Sequence, residues 1–216
     1  MSDWQSYRLE DFIPFSPEIY WRLIERVNEA FWPLHVLTVV LGVAALVLAL
    51  RGNTRVALAL LAPAWLGSGV IFHFNYYAEL NWAAHWFGWG FIVQAALLTA
   101  IPAFNATPRE PGHSGPVRRW FGAAIGIGAL LAYPLITFET CGLHPDPTAI
   151  ATLGVLLVSL RGVIAGLAIL IPSIWCLITT LTLIPLEAAW APLPLAVAVV
   201  SGAFLIIGAF FPRPDK

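Results

Sequence analysis

Seven long apolar stretches run through this chain of 216 residues, and no Asp, Glu, Lys or Arg stands near the middle of any of them. They fall at 32–51, 56–74, 82–103, 120–138, 148–161, 163–184 and 192–211. The hydrocarbon core of a bilayer is about 30 Å thick and takes a helix of about 20 apolar residues. In that medium each segment must satisfy its own backbone N–H and C=O groups, so each stretch is expected to be helical. Composition agrees. The chain is 59% hydrophobic and 11% charged, with ten Trp and one Met, against about 25% charged in soluble domains. So few charged heads do not coat a water-exposed surface. A soluble enzyme, a disordered chain and a nucleic-acid binder do not fit. The expected fold is all-α, a polytopic membrane bundle of seven transmembrane helices. The fifth stretch is short, and Arg161-Gly162 alone breaks it from the sixth. One helix over 148–184 would be far longer than a bilayer is thick, which favours two spans over one bent element.

The net charge of −1 conceals an asymmetry. With seven spans, Arg51, Arg55, Arg109, Arg118, Arg119, Arg161, Arg213 and Lys216 share one side, eight of the eleven basic residues. Ten of the twelve acids fall on the other. Basic loops stay in the cytoplasm, so the N-terminus is expected outside and the C-terminus inside. The first thirty residues lack the basic start and short apolar core of a cleavable signal, and the first apolar segment reads as a retained anchor.

Three parts are expected: an outer segment 1–31, the seven-helix domain 32–211, and a cytoplasmic tail 212–216. Within the outer segment, Ser16-Pro17 reads as a helix start. Tyr20, Leu23, Ile24, Val27 and Phe31 then recur at three- and four-residue steps, with Glu18, Arg22, Glu25, Arg26 and Glu29 opposite. That pattern predicts an amphipathic helix over 17–31, lying on the outer membrane surface or over the bundle, as an anchor or a lid. The stretch Asn105–Val117, with His113, reads as an inner loop.

Charges inside a membrane mark proton relays and many ion-coupled transporters; their absence at mid-membrane argues against a carboxylate relay across the bilayer. The one Lys is terminal, which excludes a retinal Schiff base. Gln94 is the most polar side chain expected near the midplane. Chemically capable groups gather instead toward the outer ends of the spans. His35, His73, His85 and His144 are the candidate metal ligands, with Asn75, Tyr76, Tyr77, Glu79, Asn81, Glu139, Cys141 and Asp146 around them. Imidazole, carboxylate and thiolate suit a transition metal, and paired His suit haem. Against this, no two His stand four residues apart on one helical face, and one Met does not make a Cu(I) pathway. Cys141 and Cys176 are too few for a disulfide framework.

Trp82, His85, Trp86 and Trp89 share a helical face. It reads as an interfacial aromatic belt, a pocket wall, or a close helix contact through Gly88 and Gly90. Pro63, Pro134 and Pro172 each deny a helical partner to a carbonyl four residues back, on Ala59, Leu130 and Ala168. The expected cavity opens outward between spans two, three and six. Its ligand-binding residues would be Asn28, Trp32, His73, Asn75, Trp82, His85, Trp89 and Trp175.

Several segments together resemble a bacterial multi-pass membrane family catalogued only as a domain of unknown function. They are Asn28-x-x-x-Trp32-Pro33, Gly69-Val70-Ile71-Phe72-His73, Tyr133-Pro134-Leu135, the run from Pro145-x-Pro147-Thr148 to Gly154, and Ile171-Pro172-x-x-Trp175. The resemblance implies a bacterial inner-membrane protein whose signature residues, Asn28, Trp32, His73, Pro147, Thr148 and Trp175, lie toward the outer side. Asp146 departs from the pattern, which has Cys there; His35 and His85 also depart from it. Three functions follow as expectations. The first is binding or facilitated transport of a small solute or metal ion. The others are a haem or metal redox protein, and an accessory subunit of a larger membrane complex or oligomer.

Overall fold

The computed structural model describes residues 13–104 and 115–210. The first twelve residues, the part of the expected inner loop with Arg109, Glu110 and His113, and the expected tail 212–216 lie outside the described residues. Helix α1 (Pro17–Ala30) starts behind an extended Ser16 with Pro17 in its first turn. After a bend of 92° comes α2 (Leu34–Leu50). Helix α3 (Thr54–Gly67) runs on through a π-helical segment, Ser68–Tyr76, and a 3₁₀ turn, Tyr77–Glu79. Then follow α4 (Ala84–Ala103) and α5 (Pro116–Ile127), which passes through a second π-helical segment, Gly128–Ala132, into α6 (Tyr133–Thr137). The chain ends with α7 (Pro145–Ser159), α8 (Gly162–Leu183) and α9 (Pro192–Phe210).

Each of the seven expected stretches is helical. Among the described residues, four continuous helical stretches are long and apolar enough to cross a membrane, or five if the bent α1–α2 pair counts as one. Exposed Val36, Val40, Val93, Leu170 and Ile174 give the bundle its apolar outer surface. Helix α7 is different. Its 15 residues reach about 22 Å at 1.5 Å per residue, less than the hydrocarbon thickness. Every residue from Glu139 to Leu160 is buried. The fifth stretch is therefore the axis of the bundle, packed against α5, α8, α9 and α2.

Small residues bring α5 against that axis. A Cβ added at Gly154 would stand 2.6 Å from the Gly126 nitrogen and 2.7 Å from the Gly122 carbonyl oxygen. The Gly122-x-x-x-Gly126 pair lets the two backbones touch, the usual device for helix association in lipid. Toward α3 the seam is polar instead. Trp65 Nε1 donates to Thr152 Oγ1 at 2.8 Å, and that hydroxyl donates to Thr148 O at 2.8 Å.

The prolines and the midplane amide account for one another. Pro172 lies inside α8 and removes the donor for Ala168 O. Gln94 Nε2, from α4, donates to that carbonyl at 3.0 Å. Before Pro134 the helix widens to π, and Tyr133 N–H bonds Gly128 O five residues back. At one end of the bundle, Arg118 donates to Leu160 O and Arg119 to Leu50 O, closing the C-termini of α7 and α2. At the other end α1 lies across the bundle. It buries Tyr20, Leu23, Ile24 and Val27 among Phe72, Tyr77, Leu143, Leu183 and Leu186.

Candidate functional site

The segment between α6 and α7 turns into the protein. Phe138, at φ 60°, ends α6 in the left-handed conformation, and the chain then runs buried from Glu139 to His144. Gly142 sits at φ 90° and presses its carbonyl on α3, where a Cβ at Gly67 would come within 2.4 Å of the Gly142 oxygen. Thr148 Oγ1 accepts the Gly142 N–H at 2.7 Å and donates to His144 O at 2.6 Å; Ser68 Oγ also donates to that carbonyl at 3.1 Å. A buried helix start normally leaves four N–H groups to satisfy. Pro145 and Pro147 carry none, which halves the problem for α7.

Asp146, in the first turn of α7 and 2% exposed, points at α8. Its Oδ1 accepts Trp175 Nε1–H at 2.8 Å and the Thr179 hydroxyl at 2.6 Å, and its Oδ2 the Tyr133 hydroxyl at 3.4 Å. Glu139 is wholly buried, and neither carboxylate oxygen has a hydrogen-bond partner within the protein. Burial, with the negative charge of Asp146 nearby, pushes the Glu139 carboxyl well above the usual range, so it holds its proton. A cavity of about 10 Å³ adjoins Asp146, lined also by Tyr20, Phe72, Tyr77, Trp175, Thr179 and Thr182. It has room for about one water-sized particle.

Hydrogen bonds fix two imidazole tautomers. His35 Nε2 faces Asn28 O at 3.3 Å, an acceptor, so its proton is on Nε2, and Nδ1 accepts the Thr140 hydroxyl at 2.8 Å. His144 Nδ1 accepts Thr140 N–H at 3.0 Å, which leaves its proton on a buried Nε2 with no partner in the protein. Burial, then His35 beside it, pulls His144 down to about 3, and it is neutral. His73 is wholly buried with both nitrogens unpartnered, inside a box of Phe72, Phe87, Phe91, Tyr77 and Trp175. Native proteins keep few such groups, because each costs about 1–3 kcal/mol.

The expected site residues divide. His73 and Trp175 meet, with ring centroids 4.8 Å apart. Asn28 holds the α6 end through Nδ2 to Phe138 O at 2.9 Å, while its Oδ1 is unpartnered. Trp32 is exposed and its ring lies 6.2 Å from that of His35. Asn75 and His85 are exposed, and Trp82, Trp86 and Trp89 stand 80%, 72% and 59% exposed. Phe74 joins His85 and Trp89, at 5.9 and 5.7 Å, and fills the notch at Gly88. Trp82, His85 and Trp89 thus make an outer ridge apart from His73. The imidazoles are not one ligand set: His35 and His144 stack face to face at 6.3 Å, and the Phe72 ring neighbours both His73 and His144, at 5.3 and 5.9 Å. Among the described residues no three of His, Cys, Asp and Glu gather to hold one metal. Cys141 and Cys176 are free and buried.

Sequence reasoning placed Glu139 and Asp146 on the periphery; the structure buries both, Asp146 with three hydrogen-bond donors and Glu139 with none. The signal was their flanking of His144-Pro145 in a stretch with no basic residue. No match is found among curated proteins or among solved structures. A family described as of unknown function (DUF6064) matches residues 17–213, and the chain belongs to it.

Proposed function

We propose that this protein binds a small polar solute, and eases its passage, in the chamber roofed by α1 and built around Asp146. The observation that carries the reading is a set of buried polar groups left unpartnered within the protein: both Glu139 oxygens, both His73 nitrogens and His144 Nε2, the two imidazoles standing beside Phe72, which lines the cavity at Asp146. Together they offer acceptors and donors that the protein itself does not use, as a solute site must. Trp175 and Phe72 supply aromatic walls, and Asn28 and Trp32 stand where α1 bends into α2. The exposed ridge of Trp82, His85 and Trp89 belongs to the lipid boundary, where Trp is enriched. The setting we infer is a bacterial inner membrane crossed seven times, with 1–31 outside, 32–211 in the bilayer and 212–216 in the cytoplasm. The α1 end then faces outward and the arginine end inward.

Solute entry is testable at Thr182, which lines the cavity beside Asp146. In Thr182→Cys, a small uncharged methanethiosulfonate should modify the new thiol, while Cys141 and Cys176, 0% and 1% exposed, react far more slowly. Val27, on the inner face of α1, is 0% exposed. Val27→Asp, which loosens that roof, should speed the Thr182→Cys reaction about tenfold, the effect of about 1.4 kcal/mol in an opening equilibrium. A thiol at 182 that stays unreactive in both backgrounds makes the chamber a sealed structural core.

A further inference from the structure

A larger cavity, of about 500 Å³, lies between α1, the end of α6 and the turn before α9. It shares no lining residue with the one at Asp146 and stands apart from it. Its volume is in the range of small-molecule sites. Trp21, Glu25, Asn28 and Glu29 line it from α1, spaced so that they share one helical face. Glu25 and Glu29 are exposed, and among the described residues no basic side chain pairs with either or lines the cavity. Arg26, on the same helix, is engaged elsewhere, with Glu79 at 3.3 Å and over the Tyr76 ring. The Trp21 and Trp190 rings meet at a tilt, 5.6 Å between centroids, and form an aromatic corner. Carboxylates beside indole faces suit a cation.

Two residues of the wall also carry a buried polar atom without a partner in the protein. Asn28 Nδ2 donates to Phe138 O at 2.9 Å, which fixes the amide and leaves Oδ1 as a spare acceptor. Trp190 Nε1–H is a spare donor. Thr137, by contrast, is satisfied: its hydroxyl donates to Tyr133 O and accepts Glu139 N–H. A spare acceptor among carboxylates asks for a cation with N–H groups, which a primary ammonium has and a quaternary one lacks. A spare donor asks for an oxygen on the same ligand. Ethanolamine chemistry has both, an ammonium and an oxygen on neighbouring carbons. One side of the cavity is apolar, with Ile136 and Phe138 exposed and Leu135 exposed beside them. Such a side suits the acyl chains that a lipid brings with its head.

We infer that this cavity takes a primary ammonium group carried next to an oxygen, as the head of an ethanolamine phospholipid or as a free amino alcohol. Glu25 and Glu29 supply the countercharge, the indoles of Trp21 and Trp190 the walls, and Asn28 Oδ1 and Trp190 Nε1 the directional bonds. The experiment measures binding of radiolabelled dioleoyl phosphatidylethanolamine to the full chain immobilised in detergent. A second arm uses radiolabelled ethanolamine, up to about 10 mM, the range of a weak small-ligand site. Saturable binding of either probe is expected. Phosphatidylcholine and choline, whose ammonium has no N–H, should bind at least about tenfold more weakly. Phosphatidylglycerol, which has no cation, should not compete. Glu25→Gln combined with Glu29→Gln, on an exposed face, should weaken binding about tenfold. Trp190→Phe, which keeps a ring and removes the N–H, should weaken it about fivefold. Binding of the lipid alone assigns the site to the membrane, and binding of ethanolamine alone assigns it to a free solute; each supports the inference. It is overturned if neither probe binds saturably, or if the choline or glycerol compounds bind as tightly. Binding unchanged in the doubly substituted chain, or in Trp190→Phe, also overturns it.

Discussion

At the scale of the residue, polar side chains in this membrane protein are placed to mend the backbone or to meet one another. Gln94 and Pro172 are the clearest pair. The ring of Pro172 deprives Ala168 O of its helical donor, and the Gln94 amide replaces it at 3.0 Å. Gln94→Leu should cost about 1 kcal/mol in the natural background, the net worth of one buried hydrogen bond. In Pro172→Ala the helix supplies its own N–H, and the same substitution should cost about half as much or less. Thermal unfolding of the four variants measures the coupling; equal costs in both backgrounds would show that the bond does not repair the kink. Asn28 has a similar duty, tying α1 to the end of α6 through Phe138 O. Gln94 keeps one unpartnered oxygen, Oε1, whereas His73 and Glu139 are buried with no side-chain hydrogen bond at all, and for that reason they, rather than Gln94, mark the site.

At the scale of the element, α7 is too short and too enclosed to behave as an ordinary span, and its neighbours are shaped around it. Glycine does this on the α5 side. The missing Cβ at Gly154 leaves room for the backbone of Gly122 and Gly126. Gly154→Ala should therefore force α5 from α7 and destabilise the protein by about 3 kcal/mol, an overpacking cost. Gly166, in α8, is the control: a Cβ there meets nothing within 4 Å. Gly166→Ala should be neutral or stabilise by up to about 1 kcal/mol, through helix propensity. Chemical or thermal unfolding in detergent distinguishes them, and similar midpoints would mean that the α5–α7 contact yields easily. The π-helical segment that carries His73 belongs to this scale too, since a widened helix is common at functional sites.

At the scale of the whole molecule, two ends differ in chemistry. One has Arg51, Arg118 and Arg119 near the helix ends, two of them closing carbonyls. The other has α1 and the acids beneath it. If the basic end is cytoplasmic, a cysteine at exposed Glu18 should react with a membrane-impermeant thiol reagent in intact spheroplasts. One at exposed Asn53, in the α2–α3 turn, should react only in inverted vesicles. The reverse pattern would turn the chamber toward the cytoplasm. Most of this architecture was legible beforehand. The seven helices were readable because lipid forces each apolar segment to bond internally, and α1 because its apolar residues repeat at helical spacing. The site was less so. His73 and Trp175 were paired by both readings, but Trp82, His85 and Trp89 share a helical face that turns outward, and periodicity alone does not say which face a bundle buries.

The sequence by itself determined that this is an all-helical membrane protein, where its helices fall, and that its charges keep to the helix ends and connecting segments. Those are consequences of local hydrophobicity and of the cost of an unbonded peptide group in hydrocarbon. Tertiary structure decided that α7 is an axis without a lipid face, that the segment before it runs inward, and that Asp146 and Glu139 are both buried within reach of each other's charge. Those results depend on Gly154 meeting Gly122 and Gly126, on Gly142 meeting Gly67, and on α1 folding back over the bundle. Each is a contact between residues distant along the chain, set by shape and volume, and no local pattern encodes it.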